Sequence, residues 1–265
     1  MLALSSVNKT FNIGTSSETT LFENLNLTIK PGEFITVIGS NGAGKSTLLN
    51  IIGGSLKPDA GSVNIGAENI TKLKEYERSR FIGRVFQDPV MGTSPSMSVM
   101  ENLSLALNKG GKFGLTWGIQ KKHTACIKEN LAKLKMGLED KLDMKVGLLS
   151  GGQRQALSLL MATMAEPKLL LLDEHTAALD PNISALIMEL THDMLAEKKM
   201  TTLMVTHNMN FAVSYGTRLL MLHQGEIIID IAGEEKKNLT VNKLMAYFDR
   251  FQIKEGLSDE LLLAK

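Results

Sequence analysis

Apolar and polar positions alternate with a period of two over residues 2–7 and 25–29, with a polar, turn-rich stretch at 14–20 between them. The chain is therefore expected to open with two strands joined by a loop or hairpin. Pro31 and Gly32 turn it into Phe34, Ile35, Thr36, Val37 and Ile38, a short β-branched run of the kind buried on both faces of a sheet. A Gly-rich loop follows, and a helix is predicted from Lys45 to about Ile52. Two more strands are predicted at 62–65 and 81–86, joined by a charged, partly helical segment. From residue 88 to about 149 β-branched runs give way to Leu, Met, Ala and Lys. Helical spacing appears there at 99–107 and 119–134, interrupted by Gly110, Gly111, Lys112, Phe113 and Gly114. Strand pattern returns at 168–173, 201–206 and 218–223, alternating with helical stretches at 183–199 and 208–215. Gln224 and Gly225 read as a hairpin turn into residues 226–230. Val241, Leu244, Met245, Phe248 and Phe251 form one apolar stripe on a terminal amphipathic helix. The pattern is α/β: a mostly parallel sheet with helices on its faces, an antiparallel β subdomain at the N-terminus and an inserted helical subdomain. The expected division is 1–87 and 166–238 as two parts of one core, 88–165 as the helical insertion and 239–265 as a helical tail.

Composition narrows the class without naming a chemistry. With 29 Lys+Arg against 28 Asp+Glu, the net charge of +1 gives no global attraction to nucleic acid or to an anionic membrane. The 265 residues are 43% apolar, enough for a sizeable core and against disorder or a collagen-like chain. The single cysteine, Cys126, cannot form an internal disulfide and fits a reducing compartment; no Cys/His cluster has zinc spacing. The first residues lack the basic start and apolar run of a secretory signal. No apolar run approaches the roughly 18 residues that span a bilayer, so the chain is expected to be soluble by itself. Fifteen methionines concentrate around 91–100 and 188–221, either as core filler or as a surface that repacks.

Gly39, Ser40, Asn41, Gly42, Ala43, Gly44, Lys45, Ser46 and Thr47 satisfy G-x-x-x-x-G-K-[ST] after a buried strand and before a helix. In that context the glycines let backbone N–H groups curl round a phosphate, and the helix N-terminus adds its positive end. Lys45 would reach the terminal phosphates and the Ser46 hydroxyl would bind Mg²⁺. Four leucines, Leu169 to Leu172, lead into Asp173 and Glu174. At the carboxyl edge of a parallel sheet Asp173 would meet the Mg²⁺ and Glu174 would polarise an attacking water. Leu149, Ser150, Gly151, Gly152 and Gln153 open a helix with Ser150 as N-cap. Two glycines in its first turn cost helix stability, which suggests that backbone approaches a ligand there, as a second anion site.

In this order the motifs resemble the nucleotide-binding subunits of ATP-binding cassette (ABC) transporters, over residues 2 to about 230. The series is the P-loop, Gln87 after the strand at 81–86, Leu149 to Gln153 as the family's signature motif, Asp173 with Glu174, then Ala178, Leu179 and Asp180, and His207 after the strand at 201–206. The resemblance implies a P-loop NTPase core with ATP and Mg²⁺ as its ligands. It implies that Gln87 touches Mg²⁺ or the attacking water, that His207 contacts the γ-phosphate, and that Asp180 sits at a subunit interface. Phe11 stands roughly where the family stacks an aromatic on adenine, with Phe22 as its rival. Each ATP is held between one chain's P-loop and the other chain's Ser150, Gly151, Gly152 and Gln153, so this single set of motifs implies a second copy or a homologous ATPase subunit. Further implied partners are transmembrane permease subunits at the cytoplasmic face of the membrane and, indirectly, a solute-binding protein; nucleic acid is not among them. The resemblance favours an importer, with a lipoprotein-dependent amino-acid branch suggested by residues 173–180 and 204–209. The Met-rich stretch at 91–100 lies where the family receives a permease helix.

One position departs from the family pattern: His175 follows Glu174 where many members carry proline, which makes it either a titrating group near the site or a neutral loop variant. His123, His192 and His223 read as structural or solvated, and Trp117 among Lys109, Lys112, Lys121 and Lys122 as a solvated face or a membrane-surface contact. The tail helix is expected to pack against the core, with no separate regulatory domain after it. A soluble cassette ATPase acting on ribosomes or in DNA repair would usually carry two cassettes or a long coiled-coil insertion. A nucleotide-sensing module would be expected to lack Glu174 or His207.

Overall fold

The computed structural model describes residues 1–109 and 124–251. The glycine break at 110–114, Trp117, Lys121, Lys122 and His123 lie outside the described residues. The chain divides into two compact units, Ser79–Met200 and the remainder. The first unit contains β1 (Leu2–Phe11), β2 (Thr19–Ile29), β3 (Phe34–Gly39), α1 (Lys45–Gly53), β4 (Ala60–Ile65), β5 (Glu68–Asn69) and α2 (Glu75–Arg78). The second contains β6 (Ile82–Val85), α3 (Val99–Leu107), α4 (Thr124–Lys133), α5 (Gly151–Met164), β7 (Leu169–Asp173) and α6 (Pro181–Lys198). The first unit then resumes with β8 (Thr202–Val205), α7 (Met209–Ser214), β9 (Arg218–His223), β10 (Glu226–Ala232), α8 (Gly233–Lys237) and α9 (Val241–Phe251).

In the first unit β2, β1, β4 and β5 form an antiparallel sheet. Leu2, Leu4 and Val7 are buried on one side of β1, and the slip from even to odd spacing is absorbed by a bulge at Ser6, whose φ is 49°. A second sheet runs β10-β9-β3-β8, with β9, β3 and β8 parallel and β10 antiparallel to β9. All six residues of β3 are buried, as its unbroken apolar run predicts. The turn into β10 needs positive φ at both central residues, and Gln224 and Gly225 stand at 46° and 82°. Leu244 and Phe248 of α9 pack on Met209, Leu219, Met221 and Ile231, so the terminal helix lies on the core of this unit. Met188, Met204 and Met221 are also core side chains, whereas Met91 is 67% exposed.

A group that the sequence did not single out anchors α1. Arg78 is fully buried, and its guanidinium donates to the carbonyls of Ile51 (2.6 Å) and Ile52 (2.8 Å) in the last turn of α1, and to those of Thr71 (2.9 Å) and Leu73 (3.0 Å). A cation at a helix C-terminus is favourable there, although burial pushes this guanidinium below its usual pKa. Gly54 is required by the packing, since a Cβ there would lie 2.7 Å from Arg78 Nε.

In the second unit β6 and β7 pair in parallel. Leu103 of α3, Ile127 and Leu131 of α4, Leu157 of α5 and Ile187 of α6 form its helical core. Side-chain caps start α3, α5 and α6: Ser98 with Glu101, Ser150 with Gln153, and Asp180. His175 belongs to this core. It is 2% exposed, with Nε2 3.2 Å from Thr191 Oγ1. The Thr191 hydroxyl proton goes to the Ile187 carbonyl at 2.7 Å, so the imidazole Nε2–H donates to Thr191. Burial lowers its pKa from 6.5 to about 4. His175 is thus a packed core histidine and not a titrating group of the site. His192 lies on the exposed side of α6 and His223 is half-buried.

Two outcomes follow. Arg78→Met leaves four carbonyls without their donor and is expected to lower unfolding free energy by at least about 3 kcal/mol in urea denaturation. For His175 the folded pKa is depressed, so its stabilisation is complete above the unfolded pKa and is lost as pH falls from about 6.5 toward 4. Wild type should therefore lose up to about 3 kcal/mol more than His175→Asn between pH 7.5 and 4.5, as read from paired denaturation curves.

Candidate functional site

The first unit holds the Gly-rich loop between β3 and α1. A Cβ on Gly39 would collide with the carbonyl oxygen of Leu222 on the neighbouring strand β9. Gly42 and Gly44 stand at φ 78° and 103°, where only glycine is free of strain. A Cβ on Gly44 would lie 2.9 Å from the Phe22 ring beneath it. The N-cap of α1 is Gly44 itself, which offers no side-chain acceptor, and the first turn of this nine-residue helix holds no acidic residue. By contrast α3, α5, α6 and α7 each begin with a side-chain cap. An uncapped N-terminus behind a glycine loop is a cradle for an anion, and the residues present fit a nucleotide phosphate. Lys45 is 6% exposed and its ammonium folds back onto the loop, donating to the carbonyls of Gly39 (2.7 Å) and Ser40 (2.9 Å). Asn41, Gly42 and Ser46 are exposed, Ser40 and Thr47 half-buried, and Ala43 buried.

His207 leaves β8 at the end where the loop leaves β3. In the parallel β3–β8 pair Val37 faces Val205, the Thr206 N–H donates to the Val37 carbonyl at 3.1 Å, and Gly39 and His207 each follow two residues beyond that pair. His207 is half-buried. Of the two aromatic rivals, Phe22 is fully buried under Gly44 and is a core ring. Phe11 is half-buried at the end of β1, opposite Thr19, with Lys9 Nζ 5.6 Å from its ring centroid.

The second unit holds the carboxylates. Val85 of β6 faces Leu172 of β7 in the last pair of this ladder, so Gln87, two residues beyond Val85, leaves the strand pair at the same end as Asp173 and Glu174. Gln87 is exposed, while Asp173 and Glu174 are half-buried. Glu174 is held at φ 45°, a left-handed conformation that costs a non-glycine residue on the order of 1 kcal/mol; such outliers cluster at functional sites. Asp173 Oδ2 accepts from Arg84 Nη2 at 3.0 Å, a contact the sequence did not reveal because it joins residues 89 apart.

The signature segment is in the same unit. Ser150 Oγ accepts from Gln153 N–H at 3.2 Å, and Gln153 Oε1 accepts from Ser150 N–H at 3.3 Å, a complete capping box. Of the two glycines expected to admit a ligand, Gly152 has an internal cause: a Cβ there would lie 2.5 Å from Ile183 Cγ2 of α6. Gly151 is exposed, and a Cβ would meet only Leu179 at 3.5 Å. Asp180 is the exposed N-cap of α6, with Oδ1 accepting from Ile183 N–H at 3.1 Å.

Among the described residues no group of three or more His, Cys, Asp or Glu side chains stands ready to hold a metal. The Ser46 hydroxyl in the first unit, and the Asp173 carboxylate and Gln87 amide in the second, are each hard oxygen donors of the type Mg²⁺ takes in small number beside substrate phosphates. Among the described residues no helix is long and apolar enough to cross a membrane.

A family model described as ABC transporter matches residues 22–177. The chain is 50% identical over 249 residues to the tyrosine transport ATP-binding protein of Clostridioides difficile, covering 94% of this chain and 99% of that one. It is 35% identical over 231 residues to the methionine import ATP-binding protein of Vibrio vulnificus, covering 86% of this chain and 64% of that one. Its fold matches a dimeric ATP-binding cassette in a post-hydrolysis state bound to ADP and Pi, with a TM-score of 0.75, 32% identity, and coverage of 88% of this chain and 98% of that one. The chain thus belongs to the ABC transporter family as an ATP-binding subunit.

Proposed function

We propose that this ATPase subunit hydrolyses MgATP to drive import of tyrosine, or a closely related amino acid, through separate permease subunits at the cytoplasmic face of the membrane. The observation that carries the nucleotide chemistry is the uncapped N-terminus of α1 behind Gly39, Gly42 and Gly44. The solute class rests on the relative aligned over 99% of its residues and named for tyrosine transport. Permease docking is supported by Val90 and Met91, exposed at 41% and 67% just after Gln87. A solute-binding protein outside the membrane would deliver the amino acid to the permease.

In this reading the backbone N–H groups of residues 42–47 and the Lys45 ammonium bind the phosphates, and Phe11 stacks on the adenine. Lys45 would exchange its carbonyl partners for phosphate oxygens, so its present contacts hold it ready beside the loop. Ser46, Asp173 and Gln87 would hold Mg²⁺, which neutralises charge on the phosphates. Glu174 accepts the proton of the attacking water as general base. His207 donates to the γ-phosphate and stabilises the charge that builds there. Ser150, Gly151, Gly152 and Gln153 serve the nucleotide of a second copy, with Asp180 at that interface.

Glu174→Gln is expected to keep ATP binding while cutting turnover by about 10²- to 10⁴-fold, the range of general-base loss, measured by phosphate release and nucleotide titration. The transport half is tested with radiolabelled tyrosine in cells lacking this chain. Wild type should restore uptake and Glu174→Gln should not. Unchanged tyrosine uptake in the deleted cells, with ATP hydrolysis intact in the purified protein, would overturn the solute assignment alone.

A further inference from the structure

Arg84 stands out because nothing in the nucleotide chemistry above uses it, yet it grips one of the residues that chemistry depends on. It lies on β6, opposite Leu171 of β7, and Asp173 is two residues beyond Leu171, so both side chains leave the same face of the strand pair. Arg84 Nη2 and Asp173 Oδ2 are 3.0 Å apart, with the two side chains only 13% and 16% exposed. The guanidinium also lies over the Phe86 ring, 4.6 Å from its centroid. The ring and the carboxylate thus both contact the guanidinium. A flat cation stacked on an aromatic face is pre-organised for hydrogen bonding, and shielding from water strengthens its hold on the carboxylate.

We propose that Arg84 is a positioning residue for Mg²⁺ binding: through Oδ2 it sets the rotation of the Asp173 carboxylate and leaves Oδ1 to serve the metal. The proposal rests on the reading of Asp173 as the metal-side carboxylate. Mg²⁺ demands near-ideal octahedral geometry, so the orientation of a supporting carboxylate matters to it. Partners that orient a metal's carboxylate are commonly worth about 10- to 100-fold in metal affinity. A cation beside the carboxylate also opposes a second cation, and the two effects have opposite signs. The single-oxygen contact and the stacked guanidinium argue that orientation dominates.

The test uses the full chain and ATP affinity measured by calorimetry, once in EDTA and once in excess Mg²⁺. For Arg84→Met the affinity in EDTA should stay within about twofold of wild type, while the affinity in Mg²⁺ should fall about 10- to 100-fold. Phe86→Leu, which removes the stacking ring and keeps the charge, should show the same pattern more weakly. It also provides a second route should Arg84→Met fold poorly. A merely structural role for Arg84 would weaken both affinities together. Tighter binding in Mg²⁺ would show that Arg84 competes with the metal for Asp173; that result, or an unchanged Mg²⁺ affinity, overturns the proposal. Asp173→Asn separates the two layers: loss of Mg²⁺-supported binding there, with no effect of Arg84→Met, sinks only the role of Arg84. No effect of Asp173→Asn sinks the metal reading of Asp173 and the proposal with it.

Discussion

A helix that starts on glycine, with no side chain to accept from its first turn, is an unfinished structure, and the first unit is organised round one. The N-terminus of α1 is left open by Gly44, while its C-terminus is closed by the buried Arg78 guanidinium on Ile51 and Ile52. The dipole of α1 is thus answered from inside the fold at one end and left to a ligand at the other. The loop before it cannot relax into an ordinary turn. Gly39 is pressed against the Leu222 carbonyl and Gly44 against Phe22, so side chains larger than hydrogen have no room. Strand β3, buried along its whole length, fixes where that loop begins.

The second unit solves a different problem, holding its carboxylates at a strand end without letting them drift. Parallel pairing of β6 and β7, which ends at Val85 and Leu172, brings Gln87, Asp173 and Glu174 out at the same end of the strand pair. Arg84 fastens Asp173, and the left-handed backbone at Glu174 is held by the turn in which Ala177 N–H donates to the Glu174 carbonyl at 2.9 Å. Just beyond, His175 is sealed beneath α6 as a neutral donor to Thr191. The residue after the acidic pair therefore secures the loop by packing and a hydrogen bond.

Much of this was legible in the chain. The buried run at 34–38, the P-loop and the helix after it appear as β3, its glycine turn and α1, because each carries a local signal of period, turn chemistry or composition. Helix α3 spans the predicted 99–107, and β9 spans 218–223. Elements of two to five residues, β5, α8 and the 3₁₀ turn Pro89–Gly92, are too short to show a period and went unseen. So did the contacts that register alone creates. Arg84 reaches Asp173 across 89 residues and Arg78 reaches Ile51 across 27, and no spacing rule in the sequence encodes either pairing. Gly152 was legible as an anomaly, but its cause, the closeness of Ile183, belongs to helix packing.

The most direct test of the central claim is a backbone amide chemical-shift titration of the ¹⁵N-labelled chain with ATP and Mg²⁺. The open helix end predicts saturating shifts for the amides of Gly44, Ser46 and Thr47, while Glu101, whose amide is already taken by Ser98 in α3, stays put. Shifts that leave residues 44–47 unmoved, or that spread equally over Glu101, would contradict the assignment of α1 as the phosphate-binding element.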